Sequence, residues 1–214
     1  MQGLAEFLEH GGIFMYFNVV CSAVTVAVIV ERIIFFLGKG SVNAPAFLEQ
    51  IRKLVVANNV DRAVKLCSAT EAPVARVARA GLSRLSKGEL AVSTAIEEMM
   101  VDVTPELKKR IPALWSLANS GTLLGLLGTI SGLIRSFAAV SSASPEQRSA
   151  MLSKGISEAM YNTAFGLGIA VTCMIAHVLL SSVSKKQQHQ LESFSMKLEN
   201  LLVESTQGGA GAAR

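Results

Sequence analysis

Four polar side chains interrupt long apolar stretches in which a carboxylate or a hydroxyl group is costly to bury. Thr129 lies in a run of glycine and leucine, and Glu158, Asn162 and Thr163 fall close together in a later apolar run. Ionisable groups inside a membrane span are rare and by default indicate a functional site. The carboxylate of Glu158 is therefore a candidate functional group, and the amide of Asn162 and the hydroxyls of Thr129 and Thr163 are candidates for the same site.

Small residues accompany these polar groups on the same helix faces. At 100° per residue, one face of residues 118–136 collects mainly glycine and hydroxyl residues, and one face of residues 158–177 collects small and polar residues. Small residues let membrane helices approach closely, so the glycines predict helix packing. Two such faces together also suggest a wet or partner-filled pore, lined by the four polar residues, when several copies assemble. The predicted packing residues are Gly121, Gly125, Gly128, Gly132 and Gly166.

Three charged or titratable residues near these faces can be explained without a functional role. Glu158 lies near one end of its apolar run, so it either borders such a pore or simply reaches interfacial water. Arg135 ends the uncharged core of the preceding run and is expected to extend to the headgroups. His177 is expected to be a hydrogen-bonded packing residue, since that is its commoner role.

Three uncharged runs predict the elements that position these residues. Half of the 214 residues are hydrophobic and only 17% are charged, against about a quarter in soluble domains. Residues 13–30, 113–134 and 159–184 carry no acidic, lysine or arginine residue, and each is long enough to span a bilayer. An all-α membrane protein with three spanning helices follows. The predicted segments are 1–12, span 13–37, 38–112, span 113–138, 139–154, span 155–183 and 184–214.

The distribution of basic residues predicts the orientation of the spans. Ten lysines and arginines lie between Lys39 and Arg110, whereas the segment between the last two spans has only Arg148 and Lys154. Basic loops stay preferentially in the cytoplasm. We therefore expect a multi-pass membrane protein with its N-terminus outside and its C-terminus in the cytoplasm. Segments 1–12 and 139–154 would lie outside, and segments 38–112 and 184–214 in the cytoplasm.

The segment 38–112 predicts a series of helices separated by turn residues. Pro45 suits a first helical turn, and Asn58-Asn59 predicts a break after which Asp61 would cap the next helix. Pro73 and Gly88 predict further breaks, and Pro105 and Pro112 a bend or break before the second span. Arg76, Arg79 and Arg84 predict a basic face exposed to solvent or phospholipid. The tail predicts an amphipathic helix through Leu202 that becomes disordered at the glycines of 208–211.

Several functional classes lack support in the sequence. The first ten residues include Glu6 and Glu9 but no lysine or arginine, so no cleavable signal peptide is expected. The sequence has no phosphate loop, nucleophile–base pair or metal-ligand spacing. We therefore predict no enzymatic activity, no cofactor, no metal site and no binding of nucleic acid. Cys21, Cys67 and Cys173 show no zinc-type spacing, and those in the spans are expected to pack.

Two long motifs resemble signatures of a known family. The stretch GLLGTISGLIRSF (125–137) resembles the second-span signature of the MotA/TolQ/ExbB proton-channel family, and ISEAMYNTAFGL (156–167) resembles its third-span signature. Glu31-Arg32 after the first span and APVARV (72–77) are also similar. The resemblance extends from about residue 12 to 183 and is closest to the ExbB/TolQ-type inner-membrane proteins. It implies a location in the bacterial inner membrane, with a periplasmic N-terminus and a cytoplasmic C-terminus.

The resemblance implies a role for the chain as a ring subunit. By this resemblance, Thr129, Glu158 and Thr163 would line the ion path, and the chain would form a homopentamer in the lipid bilayer around an ExbD/TolR-like single-span partner dimer. The partner would supply the proton-carrying aspartate. Thr122 and Thr172 replace prolines that many members have, which removes two helix irregularities and adds two hydroxyl groups.

The expected function is energy transduction by ion transport. The ring would act as a motor that conducts protons with its partner and transmits the energy of the proton-motive force to envelope or protein transport. Two alternatives stay open at this stage: the stator of a gliding-motility machine and a non-conducting membrane scaffold. A scaffold would not need Thr129, Glu158 and Thr163 to be polar.

Overall fold

The described part of the chain is helical, as the sequence predicted. A computed structural model describes residues 12–38 and 42–211, so the expected N-terminal segment 1–12 lies almost entirely outside the described residues. Apart from a short 3₁₀ turn at Leu85–Lys87, its regular elements are α-helices. They are α1 (Gly12–Gly38), α2 (Ala44–Val56), α3 (Val60–Ser68), α4 (Pro73–Leu82), α5 (Glu89–Lys108), α6 (Ile111–Ser142) and α7 (Pro145–Gly211).

Three of the described helical stretches are long and apolar enough to cross a membrane, which confirms the predicted number of spans. They are Ile13–Gly38, Glu89–Ser142, which includes α5 and α6, and Pro145–Ser205 within α7. The chain is thus a multi-pass membrane protein. Between α6 and α7 only Ala143 and Ser144 are non-helical, so most of the connection expected at 139–154 consists of helix ends.

The chain folds as two compact units. The first, the membrane unit, comprises residues up to Arg32 and Arg110–Leu180, and the second, the polar unit, comprises Ile33–Lys109 and Ser181–Arg214. The membrane unit therefore contains most of α1, all of α6 and the first half of α7. The polar unit contains helices α2 to α5 and the second half of α7.

Small buried side chains form the core of the membrane unit. Cys21 of α1, Ala118 of α6 and Cys173 of α7 pack together with Ile169 and Ala170. Large apolar side chains point outwards instead, which suits a surface facing lipid rather than water. The exposed set includes Leu123, Leu127, Ile130 and Ile134 of α6 and Met160, Leu167, Val171, Ile175 and Val178 of α7.

Helix α4 is the most buried helix of the polar unit. Its residues Val77 and Ala78 are inaccessible to solvent, and a β-carbon at Gly81 would lie 3.0 Å from the Ile96 side chain and 3.1 Å from that of Leu202. The amphipathic end of α7 contributes to the same unit, where Phe194 stacks on Phe47 with ring centroids 6.3 Å apart. The apolar face of residues 191–202 is thus buried within the polar unit.

The basic face predicted on α4 is only partly exposed. Arg76 donates to Glu106 of α5 over 2.7 Å, and Arg76 and Arg79 are both half-buried, whereas Arg84 is exposed. The expectation of a solvated basic face was therefore wrong for Arg76. Its helix is covered on most sides, and a partly buried guanidinium group requires a carboxylate partner.

The predicted helix boundaries coincide with local backbone signals, with one correction. Asn43 caps α2 by accepting the amide of Ala46 at 3.3 Å, with proline in the first turn. Asn58 has a positive φ of 57°, which ends α2. The N-cap of α3 is Asn59 rather than the predicted Asp61, which lies in the first turn, where its charge complements the helix dipole.

The two prolines before the second span have different effects. Pro105 lies inside α5 without ending it, and Pro112 occupies the first turn of α6. Arg110 separates the two helices with a positive φ of 63°. The break between α5 and α6 is therefore made by this left-handed residue, after which proline suits the new helix start.

Helix α7 extends to Gly211. The disorder predicted from the glycines of 208–211 stays a prediction. Adding a residue to an existing helix requires far less free energy than starting one, and no proline interrupts α7 after its first residue. Residues 212–214 lie outside the described range.

The thiol of Cys67 provides a probe of the folding of the polar unit. Cys67 of α3 is 1% exposed, and burial raises its pKa to about 11, against a smaller opposing effect of Arg79. At pH 8 only about one thiol in a thousand would be ionised, and the thiolate is the reactive form. We expect Cys67 to resist iodoacetamide in the native protein and to react rapidly after unfolding, as peptide mass spectrometry would show.

The introduced cysteine of Ser86→Cys is the matched control, because Ser86 is exposed in the same unit. It should react in the native protein at the rate of an ordinary thiol. Equal reaction of Cys67 and the introduced cysteine under native conditions would contradict the buried position of α3.

Candidate functional site

A stripe of glycines brings α6 and α7 into close contact, and the predicted polar residues lie along this contact. The two helices are antiparallel, since Gly121 lies against Ile169 whereas Gly132 lies against Ala159. A β-carbon at Gly125 would lie 3.0 Å from the carbonyl oxygen of Asn162. The structure thus places all five predicted packing glycines between these helices, with Gly166 opposite Gly121 and Gly125.

Asn162 occupies the space that one of these glycines leaves open. Its side chain is inaccessible to solvent, and a β-carbon at Gly128 would lie 2.7 Å from both its Cβ and its Cγ. Its amide nitrogen donates to the carbonyl of Glu158 over 3.4 Å, within α7. Asn162 is therefore part of the contact between the helices rather than of the exposed surface of the subunit.

The two predicted threonines lie at the edges of the contact and are both half-buried. Thr163 of α7 donates its hydroxyl to the carbonyl of Gly125 over 3.2 Å, so it links the two helices. Thr129 donates to the carbonyl of Leu126 over 2.6 Å, within its own helix. Both hydroxyl oxygens retain acceptor capacity, which a water molecule or a proton carrier can use.

Glu158 forms an ion pair that the sequence analysis did not foresee. Its Oε1 accepts from the guanidinium of Arg135 at 3.0 Å, and the two side chains are 26% and 53% exposed, respectively. Arg135 also donates from Nε to the carbonyl of Ser131 over 3.4 Å. The side chain of Arg135 thus turns back along α6 towards Glu158, and its expected position at the headgroups stays a prediction.

The opposite directions of α6 and α7 explain this pairing. Gly132 lies beside Ala159 and Ser136 beside Gly155, so Arg135 is level with residue 156 and Glu158 with residue 133. The two backbones are thus offset by two residues, or about 3 Å along the axis. Side chains lean towards the N-terminus of their own helix, so in antiparallel helices Arg135 and Glu158 lean towards each other.

The first span contributes polar residues that the sequence analysis passed over. Thr25 is buried, with its hydroxyl 3.3 Å from the sulfur of Cys173. Asn18 is fully buried, and neither its amide nitrogen nor its amide oxygen has a hydrogen-bond partner among the described residues. Both residues are polar side chains within an apolar run, and this pattern, which pointed to Asn162, could have pointed to them as well. Their burial shows that polar side chains of α1 also pack inside this unit.

A second charged group lies at the other end of the membrane unit. Glu31 accepts from Arg32 at 2.8 Å and from Arg110 at 2.9 Å, and Arg32 is almost completely buried. The carboxylate thus links the end of the first span to the left-handed residue that precedes α6. The Glu31-Arg32 pair seen in the sequence is a structural connection between α1 and α6.

Three further residues singled out in the sequence lie outside the glycine stripe. His177 packs against Trp115 with ring centroids 6.2 Å apart, consistent with a packing residue. Thr122 and Thr172, which stand at the proline positions, are exposed and donate to Ala118 and Gly168 of their own helices. Unlike proline, threonine keeps its backbone N–H donor and does not clash with the preceding turn, so both positions fit within a regular helix.

The membrane unit thus combines a rigid helix contact with polar groups at its margin. Thr129, Thr163 and Glu158 are partly accessible at the margins of this contact, here called the seam, and the glycines hold the backbones that carry them. Hydroxyl and carboxylate groups beside otherwise apolar surface can hydrate and pass a small cation. Among the described residues no cluster of histidine, cysteine and acidic side chains could hold a metal ion.

Comparison with known proteins agrees with this geometry. Residues 69–193 match the model of the MotA/TolQ/ExbB proton channel family. The chain is 31% identical over 162 residues to a biopolymer transport protein called ExbB-like 3 from Synechocystis, which covers 75% of this chain and 77% of that protein. It is 28% identical over 215 residues to the biopolymer transport protein exbB1 of Vibrio cholerae, covering 94% and 91% of the two chains.

A shorter match lies within the same family. The Tol-Pal system protein TolQ of Haemophilus influenzae is 36% identical over 75 residues, which is 35% of this chain and 32% of that protein. Three membrane helices with a polar seam define the class as a membrane channel protein rather than an enzyme. The chain belongs to the MotA/TolQ/ExbB proton channel family.

The glycine contact makes a direct prediction about substitutions in α7. A β-carbon at Gly166 would overlap the carbonyl oxygen of Gly121 and lie 3.0 Å from the Cα of Gly125, whereas one at Gly168 would meet no atom within 4 Å. Gly166→Ala should therefore lower the free energy of unfolding by about 1–3 kcal/mol, the usual effect of overpacking. Thermal unfolding of the detergent-purified protein measures this change.

Gly168→Ala is the matched control on the same helix, two residues away. It should leave the melting temperature unchanged or slightly raised, because alanine favours the helix. If both variants melted alike, the close approach of α6 and α7 would not be a constraint on the fold.

Proposed function

We propose that this chain is the ring-forming subunit of a motor driven by the proton-motive force, which conducts protons together with an ExbD/TolR-like single-span partner dimer. The energy would be transmitted to envelope transport, a role in line with the two ExbB relatives, which are named biopolymer transport proteins. The observation that carries this proposal is the seam of Thr129, Thr163 and Glu158. These groups are partly accessible on a unit whose other exposed surface is mostly apolar.

The position of the seam favours a path shared with other chains. The glycines are fully occupied by packing within one subunit, so they leave no space for a pore between α6 and α7. The accessible polar groups at the margin would therefore face a neighbouring copy or a partner helix. A polar seam in lipid costs free energy, and enclosing it in a ring would remove that cost.

Asn162 would stabilise the helix contact beside this path. It is buried against Gly128, directly precedes Thr163 in α7 and lies one turn after Glu158. The amide would fix the separation of α6 and α7 at the level where the hydroxyl and carboxylate groups emerge. We thus retain Asn162 as a residue bordering the proposed path, through its contact with both helices.

The proposed orientation places the Glu158 end of the membrane unit at the periplasm. The lysine- and arginine-rich segment between the first two spans would lie in the cytoplasm, together with the end of α7. Protons would then enter near Glu158 and leave at the cytoplasmic end. A membrane potential of about 100 mV supplies roughly 2.3 kcal/mol per charge, which the ring would convert into movement of the partner.

The proposal first predicts the state of assembly. Chain purified in mild detergent should form a homo-oligomer of five copies, and co-expression with its single-span partner should add two partner chains. Native mass spectrometry reads both numbers directly. A monomer as the only species, with no partner retained, would count against a ring.

The second prediction concerns proton transport through the seam. Glu158→Gln keeps the side-chain shape but removes the charge, and Thr129→Val removes a hydroxyl while keeping the volume. We expect both variants to assemble normally but to lose most proton uptake into liposomes containing the purified complex, whereas Glu158→Asp and Thr129→Ser should retain part of it.

Glu146→Gln provides the matched control for this assay. Glu146 is an exposed carboxylate in the first turn of the same helix, twelve residues before Glu158, so its loss should leave uptake unchanged. Proton uptake by Glu158→Gln and Thr129→Val equal to that of the wild type would show that the seam only packs, as in a scaffold.

A further inference from the structure

The ion pair between Arg135 and Glu158 has a consequence for the kind of ion that can pass. Each subunit presents one carboxylate at the end of the seam, and the same subunit supplies the guanidinium that contacts it at 3.0 Å. Rings of unpaired carboxylates attract metal cations in general. Here the guanidinium of Arg135 neutralises the carboxylate of Glu158 in the same subunit, so the carboxylate's attraction for metal cations is offset without any other chain.

Arg135 is held in place by more than its charge. Its Nε donates to the carbonyl of Ser131, one turn back along α6, while its terminal nitrogen donates to Glu158. Anchoring at both ends fixes the guanidinium between the helices, although the side chain is 53% exposed. A planar group with several fixed donors suits this double role better than the single ammonium of lysine.

We propose that Arg135 is a positioning and selectivity residue: it holds the Glu158 carboxylate across the α6–α7 contact and, by neutralising it, excludes alkali cations from the proposed path. This inference rests on the proposed function. A sodium ion entering the mouth would have to replace the guanidinium as the partner of the carboxylate and lose part of its hydration shell. A proton needs no such ligand set, because it is relayed through the hydrogen bonds of water and hydroxyl groups.

The first arm of the test asks whether the pair exists, and it does not depend on transport. The melting temperatures of the detergent-purified wild type, Arg135→Gln, Glu158→Gln and the double variant form a double-mutant cycle. If Arg135 positions Glu158, the double variant should melt no lower than the worse single variant, and the exchange Arg135→Glu with Glu158→Arg should recover part of the loss. Additive losses without recovery would overturn the positioning role.

The second arm measures selectivity in liposomes containing the complex of the chain with its co-purified single-span partner. Uptake of protons and of radioactive sodium is compared at equal incorporation. Arg135→Gln should raise the ratio of sodium to proton uptake several-fold, because it leaves the carboxylate without its neutralising partner. Arg135→Lys, which keeps the charge, should raise this ratio less.

Lys154→Gln is the matched control, because it removes an exposed positive charge from the same end of α7, four residues from Glu158. It should leave the ratio unchanged, and a rise equal to that of Arg135→Gln would mean that surface charge alone sets selectivity. An unchanged ratio in Arg135→Gln would overturn the selectivity role. If the wild-type complex moved neither ion, the proposed function and the selectivity role would both be wrong, while the double-mutant cycle would still decide the positioning role.

Discussion

The close approach of α6 and α7 is the constraint on which the rest of the membrane unit depends. Without β-carbons at Gly121, Gly125 and Gly166, two backbones can pass at a distance that any larger residue would prevent. Lipid provides little hydrophobic driving force for helix association, so this dense packing must supply much of it. The register set by the glycines then determines which polar groups meet across the contact.

Two interhelical polar contacts of α6 and α7 follow from that register. Thr163 reaches the carbonyl of Gly125 only because no side chain intervenes, and Arg135 reaches Glu158 because the helices are antiparallel with a two-residue offset. A shift of one residue would move these groups by about 100° around their helices. Packing and the placement of charge are therefore parts of one arrangement.

The sequence predicted the elements and the relevant faces, because apolar length and helical periodicity are local properties. It could not predict which partner each polar group finds. The pairing of Arg135 with Glu158 and that of Arg76 with Glu106 were not predicted. Both pairings depend on the distance between helices that are remote in sequence, which no periodicity encodes. Asn162 was placed on the correct face, but its burial against Gly128 depends on the partner helix.

The two-residue link between α6 and α7 bears on how the chain enters the bilayer. With only Ala143 and Ser144 outside the helices, these spans form a hairpin whose halves meet as soon as both have been synthesised. Moving an isolated charge through hydrocarbon is costly. In the proposed orientation Arg135 and Glu158, which lie on opposite arms of the hairpin, would cross the membrane as a neutral pair. The same contact would thus lower the barrier to biogenesis, before any assembled complex exists.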